Sequence, residues 1–147
     1  MSLDGRKFLV WKFRTMLAEA EKATGPIWAS PDDPRRTRVG KWLRRFSLDE
    51  LPQLCNVIRG EMSLVGPRPE RPVFIEEFRQ KIPRYMLRHK VRAGMTGWAQ
   101  IHGLRGNTPV EERVLFDLYY IENWSLFLDL KILFLTVFRG FSNPNAY

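Results

Sequence analysis

Two adjacent carboxylates, Asp49 and Glu50, and one arginine between two prolines, Arg68, are the residues whose types and spacing suit chemistry on an anionic group. A carboxylate can act as a nucleophile or supply the oxygen ligands that Mg²⁺ prefers. Pro67 and Pro69 fix their own φ and push the preceding residues toward extended backbone, so Arg68 loses little entropy on binding an anion. The same residues also fit ordinary structure, a helix cap and a proline-rich turn.

The acid pair opens a stretch with apolar residues at helical spacing. These residues are Leu51, Leu54, Cys55 and Ile58. Ser47 and Glu50 match a capping box, but Pro52 would then fall where a backbone donor is needed, so we expect the helix to begin nearer Asp49. Cys55 lies on the apolar face and is predicted to be part of the core.

The segment upstream is aromatic and β-branched at residues 8–13, which predicts a strand. Lys12 and Arg14 are two residues apart and would lie on one face of it. Periodicity alone fits two solvated cations equally well. Residues 17–24 are compatible with a short helix, and the prolines and glycine of residues 25–34 indicate a loop.

Residues 35–46 carry six cations in twelve positions. At helical spacing, Val39, Trp42, Leu43 and Phe46 form an apolar stripe with the cations around it. This pattern fits a helix on an anionic membrane surface, a nucleic-acid-binding helix, or a source of arginines for the acid pair.

Downstream, residues 73–80 and 82–90 read as helices separated by Pro83. Residues 92–103 contain three glycines, which allow backbone to approach a ligand closely, and Trp98, which offers a stacking surface. His89 and His102 are too few and too far apart to indicate a metal site, so both are assigned structural roles.

A second helix pair is predicted near the C-terminus. Thr108, Pro109 and Glu111 form a helix start, and the helix is expected to run to about Asn123 and to bury Val114, Leu115, Leu118 and Ile121. Residues 126–138 are the most apolar run and are too short to span a bilayer, which favours core. Phe134, Phe138 and Phe141 are the residues that we would expect to meet a membrane.

Composition limits the classes of protein. The chain has 147 residues, which suits one domain, and a net charge of +8, which favours a polyanionic partner: nucleic acid, an anionic membrane surface or a phosphorylated substrate. Its one cysteine excludes an internal disulfide and a cysteine-based zinc site. No signal peptide and no run of about 18 apolar residues is present.

Four blocks of the sequence occur together in an order that resembles the monotopic phosphoglycosyl transferases of bacteria. The blocks are KFRTM at 12–16, SLDELPQL with NVIRGEMSLVGPRPERP at 47–72, HKVRAGMTGWAQ at 89–100 and DLKI at 129–132. The GLRGNT stretch at 103–108, NWS at 123–125 and the terminal NAY are similar to the glucose-phosphate transferases that prime exopolysaccharide synthesis.

The resemblance implies an α+β, mostly helical catalytic domain with a few short strands and amphipathic helices at the membrane interface. It implies transfer of a sugar-1-phosphate, glucose by subgroup, from a UDP-sugar to undecaprenyl phosphate, with release of UMP, as the first step of exopolysaccharide or O-antigen assembly. Asp49 would be the nucleophile and Glu50 the Mg²⁺ ligand. Phosphate contacts would come from Arg68, Arg44, Lys12 and Arg14, with Arg92 added on its position alone. Asp117 and Tyr120 are placed near the site.

The resemblance also sets expectations for the boundaries and the surroundings. Residues 1–3 are interpreted as an expression leader and residues 4–147 as the catalytic domain, without the N-terminal re-entrant membrane segment of the family. The parent protein would lie on the cytoplasmic face of the bacterial inner membrane, and this fragment would be soluble or peripheral. An anionic membrane surface is an expected partner and nucleic acid is not. The alternatives are a basic nucleic-acid-binding module and a non-catalytic membrane-associated scaffold.

Overall fold

The computed structural model describes residues 1–22, 25, 27, 33–106 and 108–139, and it is mostly helical. Its helices are α1 (Arg38–Arg45), α2 (Gln53–Ile58), α3 (Pro72–Lys81), α4 (Trp98–Ile101), α5 (Val110–Glu122) and α6 (Leu126–Arg139). Short 3₁₀ turns span Leu3–Gly5, Leu48–Glu50 and Tyr85–Lys90. Two strands, β1 (Ser63–Val65) and β2 (Gly94–Thr96), form a parallel pair. The predicted α+β class is confirmed.

The core consists of two apolar clusters that meet around α5. The first contains Ile75, Ile82, Tyr85, Val114 and Leu118. The second contains Val65, Ile101, Tyr120 and Ile132, and joins β1 to α4, α5 and α6. The break predicted at Pro83 is confirmed, since α3 ends at Lys81 and the next helical turn begins at Tyr85.

Two of the three glycines predicted to approach a ligand, Gly94 and Gly97, instead pack backbone against backbone, and Gly103 has nothing within 4 Å of an added Cβ. A Cβ on Gly94 would lie 2.1 Å from the amide nitrogen of Gly66, and one on Gly97 would lie 2.2 Å from the Gly66 carbonyl oxygen. Both contacts are far too short for any side chain, so these positions require glycine. The close approach seats the loop after β1, which contains Arg68, on the segment around β2.

The strand predicted at residues 8–13 is wrong. None of its residues belongs to a strand, and the nearest pairing is an isolated bridge between Met16 and Arg36. Residues 18–22 form turns in place of the predicted helix, whose residues 23 and 24 lie outside the described part. The backbone groups of this segment bond to side chains and loops, which a strand pattern cannot reveal.

Helix α2 is oriented opposite to the prediction. Its buried residues are the polar Gln53 and Asn56, at 2% and 0% exposure, while Ile58 is 85% exposed. Leu51, Leu54 and Cys55, which was predicted to be core, are also exposed. The buried Asn56 amide is held by hydrogen bonds to the N-terminal segment, so at this position polar contacts outweigh the apolar periodicity.

Two further expectations for the C-terminal helices are corrected. Thr108 does not cap α5, since Pro109 is the residue before the helix and the Thr108 hydroxyl has no hydrogen-bond partner among the described residues. Leu115 is 66% exposed.

Helix α6 buries Ile132 but exposes a broad apolar face, so the core prediction holds for only part of it. The exposed residues are Leu126, Phe127, Leu130, Phe134, Val137 and Phe138. Phe141 lies outside the described residues. Among the described helices, none combines the length and the hydropathy needed to cross a membrane.

Candidate active site

The acid pair lies in the 3₁₀ turn Leu48–Glu50, which enters from Ser47 in the left-handed region at φ 54°. The Ser47 side chain makes no capping hydrogen bond, so the predicted capping box is not formed. Asp49 is 7% exposed, and its carbonyl accepts a hydrogen bond from the Phe13 amide at 3.0 Å. The turn therefore holds the nearly buried carboxylate of Asp49 beside the carboxylate of Glu50, which contacts cationic side chains.

Glu50 is bound by two of the predicted phosphate contacts. The Arg68 guanidinium donates to both carboxylate oxygens, with Nη1 to Oε2 at 3.0 Å and Nη2 to Oε1. Lys12 Nζ donates to Oε1 at 2.8 Å. Burial alone would raise the pKa of Glu50, but the charges of Arg68 and Lys12 outweigh it and hold the pKa below its ordinary value. Glu50 is therefore ionised at neutral pH.

The segment that carries Lys12 is fixed to α2 by one buried side chain. The Asn56 amide accepts from the Trp11 backbone nitrogen at 3.1 Å and donates to the Leu9 carbonyl at 2.8 Å. Because Asn56 satisfies the backbone groups on both sides of Val10, residues 8–13, which we call the N-terminal strap, pass along the acid pair without strand pairing.

Arg44 reaches the site from α1. A Cβ on Gly40 would lie 2.0 Å from the Thr15 carbonyl oxygen, so α1 packs directly on that backbone. Arg44 Nε donates to Thr15 Oγ1 at 2.8 Å, and the Asp49 carboxylate lies within electrostatic range of the guanidinium. Thr37 caps α1 through a hydrogen bond from the Gly40 amide at 2.9 Å.

Opposing charges act on Asp49. Burial raises its pKa, and the neighbouring Glu50 charge raises it further, while Lys12, Arg44 and Arg68 act in the opposite direction. The net direction is upward. Asp49 is therefore a more basic carboxylate than an ordinary aspartate, and basicity favours attack on an electrophile.

A cavity of about 230 Å³ opens next to Glu50. Its lining residues are Phe46, Ser47, Glu50, Leu64, Met95, Thr96, Arg105, Leu133 and Thr136. Arg105 Nε is buried without a hydrogen-bond partner among the described residues, and burial together with the nearby Arg68 charge lowers the Arg105 pKa. An unpaired buried donor beside a second arginine suits an anion.

Arg105 is a residue that the sequence reasoning missed. In the sequence, Arg105 lies between two glycines of the GLRGNT stretch, which was used only for the resemblance to the glucose-phosphate transferases. In the structure, Gly103 and Gly106 both have positive φ. Asp117 and Tyr120, which were expected near the site, are both buried: Asp117 forms an ion pair with Arg88, and the Tyr120 hydroxyl donates to Asp129 Oδ1 at 2.8 Å.

The structure brings together five of the seven predicted site residues: Asp49, Glu50, Arg68, Lys12 and Arg44. Arg14 and Arg92 are exposed and form no ion pair with a described residue. The backbone carbonyl oxygen of Arg92 packs against Gly66, at the start of the loop that carries Arg68, so Arg92 contacts this loop through its backbone.

The acid pair is chemically suited to Mg²⁺. Among the described residues, no group of three or more His, Cys, Asp or Glu side chains could hold a metal ion. Mg²⁺ often binds through only one or two carboxylates and completes its coordination with water and substrate phosphate. Glu50 lines the cavity, and its oxygens are already held by cations, so a metal ion would share them with Lys12 and Arg68.

The family model described as bacterial sugar transferase matches residues 1–143. The chain belongs to this family. It is 55% identical over 150 residues to a UDP-glucose:undecaprenyl-phosphate glucose-1-phosphate transferase of Escherichia coli K12, covering 99% of this chain and 32% of that protein. It is 53% identical over 149 residues to the Klebsiella pneumoniae protein of the same name, covering 99% of this chain and 32% of the relative.

A third relative, a UDP-N-acetylgalactosamine-undecaprenyl-phosphate N-acetylgalactosaminephosphotransferase of Aeromonas hydrophila, is 46% identical over 134 residues, covering 90% of this chain and 31% of that protein. The chain thus spans about a third of the length of these relatives, and they are named for different sugars.

Proposed function

We propose that this chain transfers a sugar-1-phosphate, glucose-1-phosphate in the first instance, from a UDP-sugar to undecaprenyl phosphate. The observation that carries the proposal is the pairing of a nearly buried Asp49 with a Glu50 held by Arg68 and Lys12, beside a cavity that contains a further arginine. The family and the names of the relatives support the same reaction class.

In the first displacement, a carboxylate oxygen of Asp49 attacks the phosphorus attached to the sugar. The bond from that phosphorus to the bridging oxygen breaks, and UMP leaves with the electron pair. The product on the protein is an aspartyl phosphosugar. A protonated Asp49 would be a far weaker nucleophile than the carboxylate, so this step requires the ionised form.

In the second displacement, an oxygen of the acceptor phosphate attacks the same phosphorus. The bond to Asp49 breaks and the carboxylate is regenerated, which gives a polyprenyl diphosphate sugar. Both substrates are anionic, so the cations around the acid pair must screen their mutual repulsion. We assign this role to Arg68, Arg105 and Arg44, since a guanidinium can release one partner to bind a phosphate oxygen in the same geometry.

We assign Mg²⁺ to Glu50 as the proposed cofactor. When bound, the ion would supply charge neutralisation at the transferred phosphate. The chain itself supplies the orientation, since Arg68 and Lys12 fix the Glu50 carboxylate from two directions.

We further propose that the anionic acceptor is met at a membrane surface. Helix α1 exposes Arg38, Lys41 and Arg45 together with Val39 and Trp42. A short helix with exposed cations and apolar residues suits an anionic interface. Sedimentation with phosphatidylglycerol vesicles tests this: binding should fall for Trp42→Ser and at high salt, and binding equal to that of phosphatidylcholine vesicles would contradict it.

The covalent route is tested by intact-mass measurement after incubation with UDP-glucose and Mg²⁺, with Asp49→Asn beside the wild type. We expect a phosphohexose adduct on the wild type alone, together with one UMP per adduct. UMP release that continues in Asp49→Asn, or that occurs without any adduct, would overturn Asp49 as the nucleophile.

The sugar is tested in the same assay. Because the Aeromonas relative is named for N-acetylgalactosamine, UDP-glucose, UDP-galactose and UDP-N-acetylgalactosamine are compared at equal concentration. Each donor is incubated separately, and the donor that forms the adduct fastest is taken as the substrate. The adduct mass distinguishes an N-acetylhexosamine from a hexose, whereas the glucose and galactose adducts have equal mass and are distinguished by their rates of formation.

A further inference from the structure

A second set of charged residues lies outside the acid pair and is more deeply buried. We call it the ion cluster: Glu70, Arg88, Arg113 and Asp117. The side chains of Arg88 and Asp117 are 3% and 4% exposed, and their N–O distance is 2.7 Å. Arg113 Nη1 donates to Glu70 Oε1 at 2.9 Å, and Arg88 Nη1 lies 3.8 Å from the same oxygen.

The ion cluster holds the loop that carries Arg68. Arg88 Nη2 donates to the carbonyl oxygen of Arg68 at 3.0 Å, and Glu70 is itself a residue of the loop, two positions after Arg68. The other end of the loop is held by the close contacts of Gly66 with Gly94 and Gly97. The backbone of Arg68 is thus fixed on both sides while its side chain reaches Glu50.

Stability does not account for this arrangement. Removing charges from water carries a large penalty, and buried ion pairs can often be replaced by apolar residues without loss of stability. Arg88 Nε is also buried without a hydrogen-bond partner among the described residues, which adds to the penalty. What the ion cluster provides is a defined direction for the Arg68 carbonyl.

We propose that Arg88 and Asp117 are positioning residues, which orient Arg68 toward Glu50 and toward the phosphate of the donor. The Asp117 carboxylate forms an ion pair with Nη2 of Arg88, the nitrogen that donates to the loop, although its Oδ2 atom does not meet hydrogen-bond geometry. The Tyr85 hydroxyl accepts from Nη1 at 3.2 Å, and the Tyr85 ring lies 5.3 Å from the guanidinium carbon. With Arg88 fixed in this way, Nη2 fixes the loop. The inference rests on the proposed function, because it concerns the donor phosphate.

The decisive variant replaces the buried pair by apolar residues, Arg88→Met with Asp117→Leu. We expect a urea midpoint close to that of the wild type, but a UDP-glucose Kd by calorimetry about tenfold higher, and adduct formation slowed by a similar factor. Arg68→Ala should weaken binding to the same degree. Adding the double change to Arg68→Ala should then weaken binding no further, because both act through one guanidinium.

A matched control is Leu118→Ala on the same helix, which removes core packing next to Asp117 without touching the loop. It should lower the urea midpoint and leave the Kd for UDP-glucose unchanged. Tyr85→Phe is a milder positioning variant that removes one acceptor from Arg88 while retaining the ring, and it should raise the Kd by a smaller factor even if the double variant fails to fold.

Failure of the positioning inference and failure of the proposed role of Arg68 would give different results. If Arg68→Ala weakens binding but neither the double variant nor Tyr85→Phe does, the positioning inference is wrong and the proposed function stands. If Arg68→Ala binds UDP-glucose like the wild type, Arg68 has no role at the donor phosphate, and that part of the proposed function fails together with the inference.

Discussion

Arg68 donates to both carboxylate oxygens of Glu50, whereas no lysine or arginine of the described residues forms an ion pair with the neighbouring Asp49 carboxylate. The two adjacent acids therefore have opposite electrostatic character. The pKa of Glu50 lies below its ordinary value, whereas burial and the Glu50 charge raise that of Asp49. Such a division suits one acid that stays ionised as an anchor and a second that is basic enough to attack.

Arg68→Lys should impair the reaction although the charge is retained. A lysine offers a point charge and cannot bind both oxygens of Glu50 in one plane. We expect adduct formation from UDP-glucose to slow by about tenfold to a hundredfold, which corresponds to the loss of one charge-assisted hydrogen bond. Single-turnover intact-mass kinetics measures the rate.

The chain offers a matched control for that substitution. Arg71 also binds a glutamate in two-point fashion, with distances of 2.7 and 2.8 Å to Glu21, but both residues are at the surface. Arg71→Lys should leave the rate unchanged, since exposed pairs contribute little. Equal rates for Arg68→Lys and the wild type would show that the fork geometry is not required.

Lys12→Met should move the acid limb of adduct formation to higher pH. In the proposed mechanism Asp49 must be ionised to attack, and the Lys12 charge acts to lower its pKa. Without that charge Asp49 retains its proton to a higher pH, so the rate begins to fall at a higher pH as the solution is acidified.

The pH profile is measured for wild type, Lys12→Met and Lys81→Met, of which the last breaks a surface pair with Glu77 at 2.6 Å. Lys81→Met should reproduce the wild-type profile. An acid limb that moves to lower pH in Lys12→Met would contradict the assignment of that limb to Asp49.

The sequence predicted the centre of this site better than its surroundings. Asp49, Glu50, Arg68 and Lys12 were identified from residue type, spacing and resemblance, and they meet in the structure. The acid pair and the turn around Arg68 are local features of the sequence, whereas Lys12, 38 residues from Glu50, was assigned to the site by the resemblance. Arg105 was missed because it is a candidate only through its burial in the cavity near Arg68, and that burial depends on the tertiary packing of two loops distant in sequence.

Two of the wrong predictions, the buried face of α2 and the strand at residues 8–13, share one physical cause. Apolar spacing in α2 predicted a buried face with Cys55, yet Asn56 occupies the interior because it hydrogen-bonds the backbone of the N-terminal strap. The same strap was predicted to be a strand since its composition is β-prone. Each local pattern was overridden by a polar contact between segments more than forty residues apart in sequence.

Gly94→Ala should severely destabilise the protein. The added Cβ would lie 2.1 Å from the Gly66 nitrogen and 2.5 Å from the Thr96 carbonyl oxygen, both backbone atoms that cannot rotate away. We expect a loss of about 3 kcal/mol or more in the free energy of unfolding, by analogy with overpacking of a rigid interior. Urea unfolding followed by circular dichroism measures it.

The control for that measurement is Gly60→Ala. Gly60 has φ +72° but nothing within 4 Å of an added Cβ, so only the backbone preference is lost. This should cost about 1 kcal/mol. Comparable losses at the two positions would show that the loop after β1 can move away from β2, and would weaken the account of how Arg68 is seated.

Arg105→Met should separate function from stability. Arg105 Nε is buried without a partner among the described residues, and its cavity also contains the apolar Leu64 and Met95. Replacing an unsatisfied buried donor by an apolar side chain removes a desolvation penalty of about 1–3 kcal/mol. We expect a rise of about 1 kcal/mol in the free energy of unfolding, because part of that gain is lost to imperfect packing.

The same change should weaken UDP-glucose binding about tenfold, the effect of losing one charge-assisted hydrogen bond to phosphate. Urea unfolding and calorimetry on one preparation give both quantities. Arg79→Met serves as the control because, among the described residues, Arg79 forms an ion pair only with the exposed Glu76, at 3.6 Å, and the change should affect neither quantity. A variant of Arg105 that loses stability and binds UDP-glucose normally would assign the residue to the fold, since an anion-binding arginine is expected to trade stability for affinity.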